Sequence, residues 1–528
     1  MGRFVNPDAQ VFQSALNAEI YVDKTGLIEY TNRVLGSTDA YICNSRPRRF
    51  GKSTTANMLA AYYSKGCDAK ELFDGLQISH AADYTQHLNR SVVIHLDVQW
   101  FLTSGSTPES MVGDITACVL EELRNEYHCA ALAKVESLPV ALSLIYQETK
   151  DRFVIIIDEW DVLIRDAATD KKAQDEYIDF LRGLFKGVEP MRYIELAYLT
   201  GILPIKKTQT QSAMNNFNEF TMLDAGILAP YVGFTNDEVK QLCHQYSRDF
   251  AETKRWYNGY LLNGLQVYNP KAVVSVMQRG KFRSYWSETA SYDVVVPLIN
   301  MDFDGLRTAI IEMLSGGTVS VNTATFRNDG SQLNRKDDVL TYLIHLGYLG
   351  YDQDTRMAFV PNEEIRQELA LAVEDRPWSE MQKFLQQSND LLLATLDGDT
   401  QTVAAGIESI HNNYISSLQY NNENSLSCVL AIAYLGAMQY YFKPVRELPA
   451  GRGFADFVYI PKPEYRDIYP ALVVELKWSK NAETAINQIK QKKYPDALQG
   501  YAKHILLVGI SYEAKTKQHY CVIEEYEK

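Results

Sequence analysis

The stretch AYICNSRPRRFGKS, residues 40–53, decides how the first half of the chain is read. Ala40 to Asn44 is a short apolar run with strand character, and Ser45 to Ser53 is a basic loop. Ser53 to Tyr63 then has the texture of a helix. A loop between a strand and a helix points backbone N–H groups and a helix N-terminus at one spot, which suits phosphate. Gly-Lys-Ser at its end adds a lysine that reaches the β- and γ-phosphates and a hydroxyl for Mg²⁺. Gly51, Lys52 and Ser53 supply that ending. The full pattern G-x-x-x-x-G-K-[ST] wants glycine at position 46, where this chain has Arg46, so the ending alone does not decide the matter.

The most hydrophobic run of the chain does. Phe153 to Ile157 reads FVIII and ends at Asp158-Glu159. An aspartate at such a strand end can hold the water shell of Mg²⁺, and the next glutamate can polarise an attacking water. Val92 to Val98 and Ile194 to Leu199 are two further strand-like runs, the second ending at Thr200, where a γ-phosphate sensor belongs. Helix-like stretches lie between them, at Ser53 to Tyr63, Pro108 to Glu126 and Lys171 to Phe185. Strands alternating with helices predict an α/β domain with a parallel sheet buried on both faces, over residues 1–230.

After Pro230 the pattern changes. Thr235 to Tyr246 starts with a Thr/Asn cap and an acidic first turn, the signature of a helix start. Helical segments continue to residue 385. Within them a helix over 335–348, a short hairpin over 349–360 and a helix from Asn362 suggest a winged-helix-like unit or a helical lid. The tail, 386–528, opens with long helical patterns. It then gives strand-like Gly453 to Ile460 and Ala471 to Leu476, a helix from Glu483, and strand-like His504 to Ile510.

Composition narrows the classes. The 528 residues are 46% hydrophobic and 22% charged, which excludes wholesale disorder and fibrous repeats. No run approaches the ~20 apolar residues of a membrane span. The start, MGRFVNPDAQ, has no apolar core of a signal peptide. Seven scattered cysteines form no C-x-x-C pair, so a cytoplasmic chain with reduced thiols is expected. The net charge of −14 argues against coating nucleic acid along the whole surface, leaving local basic patches as DNA contacts. The 34 tyrosines suit wet interfaces, although lineage habit explains a surplus as well.

The tail carries a second constellation in GRGFADFVYI (451–460), ALVVELKWS (471–479) and AINQIKQKKY (485–494). Asp456 and Glu475 sit on neighbouring strand-like runs and can converge on one Mg²⁺. Side chains alternate along a strand, so Glu475 and Lys477 share a face. A metal-activated water beside a lysine is the chemistry of hydrolytic phosphodiester cleavage. Gln488 follows early in the next helix. From Leu476 to Lys493 there are five lysines and one acid, a patch where DNA phosphates can dock.

These strings carry a resemblance. YVDKTGLI (21–28), RPRRFGKS (46–53), VIIIDEWD (154–161), TGILPIKK (200–207), WYNGY (256–260) and VYNP (267–270) resemble the AAA-ATPase-like family, whose loop also lacks the first glycine. The tail is similar to the PD-(D/E)XK nuclease superfamily, in the form usually attached to that ATPase family. The resemblance implies an additional-strand P-loop ATPase, a helical middle and a nuclease-like α/β tail. It implies that Arg48, Arg49, Phe50, Gly51, Lys52, Ser53 and Thr54 line the ATP phosphates, with Asp158 as the acid that serves Mg²⁺, Glu159 as base and Thr200 as sensor. In the tail, Asp456 and Glu475 become metal ligands, Lys477 the catalytic lysine and Gln488 an orienting residue. Glu423 and Glu447 both stand as the upstream acid, and the arginine finger is left open among Arg48, Arg49, Arg165 and Arg182. A homo-oligomer is a further expectation, because relatives use a neighbouring subunit's arginine. The competing class is a nucleotide-gated switch whose tail binds nucleic acid or protein without cutting. His95, Cys43, Trp160 and Trp256 are read as packing residues.

Overall fold

The computed structural model describes residues 2–166, 170–205, 214–286, 292–299, 301, 303, 305–326, 333–374, 379–414, 429–430, 433–434, 437, 440–442, 444–450, 453–463, 465–492, 495, 498 and 504–526. The chain packs as two compact units, Met1–Ser291 with Ser320–Ile365, and Tyr292–Val319 with Arg366–Lys528.

Five parallel strands organise the first unit: β1 (Tyr41–Ser45), β2 (Val92–Asp97), β3 (Phe153–Asp158), β4 (Ile194–Gly201) and β5 (Asn218–Phe220). Their order in space is β2-β3-β4-β1-β5. β4 is therefore inserted between β1, which leads into the phosphate loop, and β3, which ends at Asp158. This is the additional-strand arrangement, and it brings three functional strand ends to one edge of the sheet.

Alternation along β3 explains why it is central. Phe153, Ile155 and Ile157 join the apolar cluster formed with helices Met111–Tyr127, Leu138–Thr149 and Lys171–Phe185. Val154 and Ile156 join the opposite cluster, with helices Gly26–Val34 and Lys52–Tyr63. Burying one such side chain contributes ~1.5–3 kcal/mol, so a five-residue apolar run commits the strand to a place between two helical layers. β2 ends one residue earlier than the sequence pattern suggests. The Asp97 carboxylate accepts the N–H of Trp100 (3.1 Å), capping helix Val98–Thr103 and turning the chain away. The helix expected from Pro108 begins at Met111.

Further along the first unit, helix Asn236–Gln245 opens with a full capping box between Thr235 and Glu238. Strands Phe234–Thr235, Leu265–Tyr268 and Tyr260–Leu262 form a small antiparallel sheet in that spatial order. Helix Lys336–Leu346, the hairpin of Gly350–Asp352 with Met357–Phe359, and a helix starting at Glu363 give the expected helix–hairpin–helix order.

The second unit contains a mixed five-stranded sheet, ordered Val445–Ala450, Gly453–Tyr459, Ala471–Trp478, Ile505–Glu513 and Gln518–Glu525. Ala471–Trp478 and Ile505–Glu513 run parallel, and the other neighbours are antiparallel. Helix Ala482–Lys492 lies in the crossover and packs on the sheet so closely that a Cβ on Gly509 would come within 2.6 Å of the Ala482 carbonyl oxygen. Among the described residues no helix is long and apolar enough to cross a membrane.

Candidate functional sites

Loop 46–51 joins β1 to helix Lys52–Tyr63, and its backbone is bent by two positive φ angles, 70° at Arg49 and 91° at Gly51. A Cβ on Gly51 would meet no heavy atom within 4 Å, so the bend opens towards a cavity and not towards packed protein. That cavity, about 700 Å³, is lined by Arg48, Arg49, Phe50, Gly51, Lys52, Ser53, Thr54 and Glu159. Its other walls come from Ile20, Tyr21, Val22, Lys24, Gln99, Tyr231, Phe234, Pro270, Lys271 and Val274, among others. Five of the lining residues are basic, and Glu159 is the one acid among them. In an acidic chain this concentrates positive potential at one cleft.

Lys52 is 4% exposed. Its Nζ donates to the Pro47 carbonyl (3.1 Å) and lies 3.4 Å from Glu159 Oε1. Glu159 itself sits at φ 53° directly after β3, and its Oε2 accepts from Arg165 Nη2 at 3.0 Å. Burial pushes the Glu159 carboxyl up, but Lys52 and Arg165 beside it outweigh burial and hold it below the usual range. Asp158 is buried; its Oδ1 accepts from the Glu159 N–H (3.1 Å) and from the Thr200 hydroxyl. The strand ends thus bring Lys52, Asp158, Glu159 and Thr200 together as expected, with Asp158 and Thr200 behind the cavity wall.

Arg165 is 6% exposed and bridges Glu159 to Asp161, with its Nε 3.2 Å from Asp161 Oδ2. It serves this chain's own acids. Arg182 pairs with Asp179 on a surface turn of its helix (2.7 Å). Arg49 Nη1 donates to the Trp286 carbonyl (3.3 Å), and Arg48 is exposed at the cavity wall. Phe50 is a loop anchor: its carbonyl accepts the Gly233 N–H (2.9 Å), and its ring meets Tyr260 edge-on. Cys43 is fully buried, with its thiol pushed well up by burial, and is a packing residue; His95 is half-buried, its pKa lowered by burial, and it lines a second cavity with Asp97 and Trp100. Trp160 is fully buried and Trp256 8% exposed; neither lines the cavity.

In the tail, the Phe457↔Val474 pairing puts Asp456 opposite Glu475. The Leu476 N–H donates to Asp456 Oδ2 (2.8 Å). Glu475 is 1% exposed; its Oε1 accepts from Lys477 Nζ at 3.0 Å and from Gln488 Nε2. Its other oxygen, Oε2, is buried and has no hydrogen-bond partner among the described residues. Burial, then the neighbouring Asp456, raises the Glu475 carboxyl to about 7, against the pull of Lys477. Asp456 and Glu475 are the two side chains here that could hold a hard divalent ion, with the Glu475 Oε2 as the oxygen left over. Among the described residues, no group of three or more His, Cys, Asp or Glu side chains forms a metal cluster. Glu447 lies on strand Val445–Ala450, whereas Glu423, Arg452, Lys493, Tyr494, Lys206 and Lys207 fall outside the described residues.

Some contributors escape the sequence reading. Lys24, Gln99, Tyr231 and Lys271 line the cavity, yet no chemical rule marks them beforehand. The string at 21–28 signalled Lys24 by resemblance, whereas Gln99, Tyr231 and Lys271 stand outside every quoted string and are found only by their convergence on the cavity wall. Arg165, one of the four arginines left open by the sequence, has a role that its spacing could have narrowed, since six residues beyond Glu159 a short helix returns it to that carboxylate.

The sheet order and loop define an additional-strand P-loop fold, and the tail sheet a nuclease-type fold. Residues 10–210 match the family described as predicted AAA-ATPase. Residues 421–521 match the PD-(D/E)XK nuclease superfamily. The chain therefore carries an AAA-ATPase-like domain followed by a PD-(D/E)XK nuclease superfamily domain. A curated relative, an uncharacterized protein in the vnfD 5′ region of Azotobacter chroococcum mcd 1, is 26% identical over 283 residues, 53% of this chain and 52% of that protein. The chain spans about half the length of that relative. Two structures of the Aeropyrum pernix ORC2 protein, one with ADPNP and ADP and one in the ADP form, align with TM-scores of 0.28 and 0.27 at 10% and 11% identity. They cover 69% and 70% of this chain and 98% of theirs.

Proposed function

We propose that the protein hydrolyses ATP at the loop and uses that turnover to control Mg²⁺-dependent cleavage of DNA by its tail. The division of labour is 1–230 for ATP, 231–385 as lid and relay, and 386–528 for cutting. The observation that carries the cutting half is Glu475, buried with one oxygen held by Lys477 and Gln488 and the other without a partner, beside Asp456.

At the first site Lys52 would exchange the Glu159 carboxylate for the β- and γ-phosphates, which carry more charge. Ser53 and Asp158 would hold Mg²⁺. Glu159, kept ionised by Arg165 when Lys52 leaves, would orient the attacking water and accept its proton at Oε1. Thr200 keeps Asp158 in place through its hydroxyl. At the second site Asp456 and Glu475 would hold the divalent ion, and Gln488 fixes the Glu475 rotamer. A bound ion supplies an ionised water and neutralises the leaving oxygen. Lys477 Nζ adds a fixed positive charge where the phosphodiester oxygens would gather negative charge. The cytoplasm is the compartment that suits reduced thiols and ATP supply.

Cleavage of plasmid and single-stranded DNA tests this reading, with Mg²⁺ or Mn²⁺, with and without ATP, for wild type, Lys52→Ala and Lys477→Ala. Lys477→Ala should abolish cutting while ATP hydrolysis persists, and Lys52→Ala should remove the ATP dependence of cutting. Steady ATP hydrolysis with no cleavage of any substrate would sink the nuclease half.

A further inference from the structure

The string DEWD (158–161) ends on a second aspartate, to which the proposed chemistry gives no task. Asp161 is fully buried. Burial raises its carboxyl above the ordinary range, and Arg165 is the strongest pull the other way. A buried carboxylate is costly unless its neighbours compensate it, so its contacts indicate what the charge is for.

Those contacts converge on one oxygen. Oδ2 accepts the N–H groups of Ile202 (3.1 Å) and Leu203 (2.8 Å) and lies 3.2 Å from Arg165 Nε. The Trp160 N–H donates to the Thr200 carbonyl (2.9 Å), so residues 160–161 lie across the bend that ends β4. The close fit requires Gly201: a Cβ there would come within 2.6 Å of Asp161 Oδ1 and 2.7 Å of the Trp160 ring. The same bend also carries the root of the phosphate loop. The Arg46 N–H donates to the Gly201 carbonyl (2.9 Å), and the Ser45 hydroxyl to that of Leu203 (2.7 Å).

A pin for the bend alone does not need a charge, because an asparagine oxygen accepts N–H groups as well. The charge matters to Arg165. Beside Asp161 at its Nε, the guanidinium meets Glu159 through Nη2 at Oε2 (3.0 Å), while Glu159 Oε1 lies 3.4 Å from Lys52 Nζ. A guanidinium shared between two carboxylates also leaves Glu159 more basic than one devoted to it.

We infer that Asp161 is a positioning residue for the proposed base: it fixes Arg165, and through Arg165 the Glu159 carboxylate, relative to the bend that also carries the root of the phosphate loop. The inference rests on the reading of Glu159 as the base of ATP hydrolysis. It gives the last acid of the 154–161 string and the glycine of the 200–207 string one shared reason.

Phosphate release from MgATP by the full chain tests it, for wild type, Asp161→Asn, Glu159→Gln and the double variant. Asp161→Asn keeps an oxygen for the Ile202 and Leu203 N–H groups and loses the charge. It should lower kcat about ten- to a hundredfold. KM should stay within about twofold, because Asp161 does not line the nucleotide cavity. In the Glu159→Gln background the same change should move the residual kcat by less than about twofold, since the group it positions is gone. Thermal melts identify a variant that fails to fold. Arg165→Lys then carries the comparison, keeping the charge but not the fork that touches both carboxylates, and the same split of kcat from KM is expected. A folded Asp161→Asn with wild-type kcat would overturn the inference. So would an equal loss with and without the Glu159 carboxylate, which would make Asp161 a pin for the bend, or a KM that rises while kcat holds. Wild type that binds MgATP without releasing phosphate would overturn the hydrolysis reading and this inference together; failure of the inference alone shows only in the variants.

Discussion

Glu159 is held by two cations, and on the proposed reading only one of them stays when phosphate binds. Lys52, 3.4 Å from its carboxylate, is the residue that must move, while Arg165 at 3.0 Å is anchored by Asp161 as well. On the proposed reading a carboxylate and a polyphosphate thus compete for one lysine. Glu159→Gln removes the competitor without changing shape. It should lower kcat for ATP hydrolysis by ~10²–10⁴-fold, the usual worth of a positioned base. The Kd for ATP should stay equal or tighten a few-fold, read by equilibrium binding under non-turnover conditions. A clear loss of affinity would mean that Glu159 serves to aim Lys52 and does not compete with phosphate.

At the scale of elements, the helix Lys336–Leu346 carries a group whose titration opposes the fold. His345 is fully buried, and both ring nitrogens lack a hydrogen-bond partner among the described residues. Burial lowers its pKa from 6.5 to about 3. The unfolded chain therefore binds a proton between those values that the folded chain does not. Stability is complete above pH 6.5 and declines as pH falls towards 3. At pH 5 the loss is about 2 kcal/mol from this residue. His345→Leu should flatten the acid limb of a denaturation midpoint-versus-pH curve between pH 6.5 and 5; an unchanged limb would put the acid sensitivity elsewhere. The same helix shows what sequence can give. Its apolar spacing and the following glycine, Gly347 at φ 86°, delimit it to within a residue or two. β3 was legible for its unbroken apolar run, and Glu475 with Lys477 for strand alternation. β5 was not, because Asn218–Phe220 is three residues long with one apolar side chain, and it pairs only because β1 offers it an edge. The strand Gln518–Glu525 mixes polar and apolar residues as an edge strand can, and gives no clean period. The tyrosine surplus carried no signal of function, and much of it is core: Tyr62, Tyr63, Tyr198 and Tyr260 are among the largest fully buried side chains, and Tyr62 donates to the Tyr84 carbonyl at 2.7 Å. Those are core uses, which composition cannot distinguish from interface uses.

At the scale of the whole molecule, a chain of net charge −14 repels DNA at long range, so any contact must be local and sensitive to salt. The lysines near the tail site are where that contact would form, but they are not equivalent. Lys477 is 8% exposed and engaged with Glu475, and Lys490 is paired with Glu524 on the strand Gln518–Glu525. Lys480 is exposed and Lys492 half-buried. Each lysine that touches a phosphate releases condensed counterions, adding about 0.9 to the slope of log affinity against log salt on duplex DNA. Lys480→Gln and Lys492→Gln should each reduce that slope by about 0.9 and weaken binding alike for all sequences, measured by fluorescence anisotropy on a duplex in Ca²⁺ to suppress cutting. Lys490→Gln should cost less, because breaking its pair leaves Glu524 uncompensated but removes a cation already half spent on it. Glu524→Gln, which frees Lys490, should then tighten binding at low salt. A slope insensitive to all four substitutions would move the DNA contact away from this face, and the long-range repulsion would have to be overcome from another part of the chain.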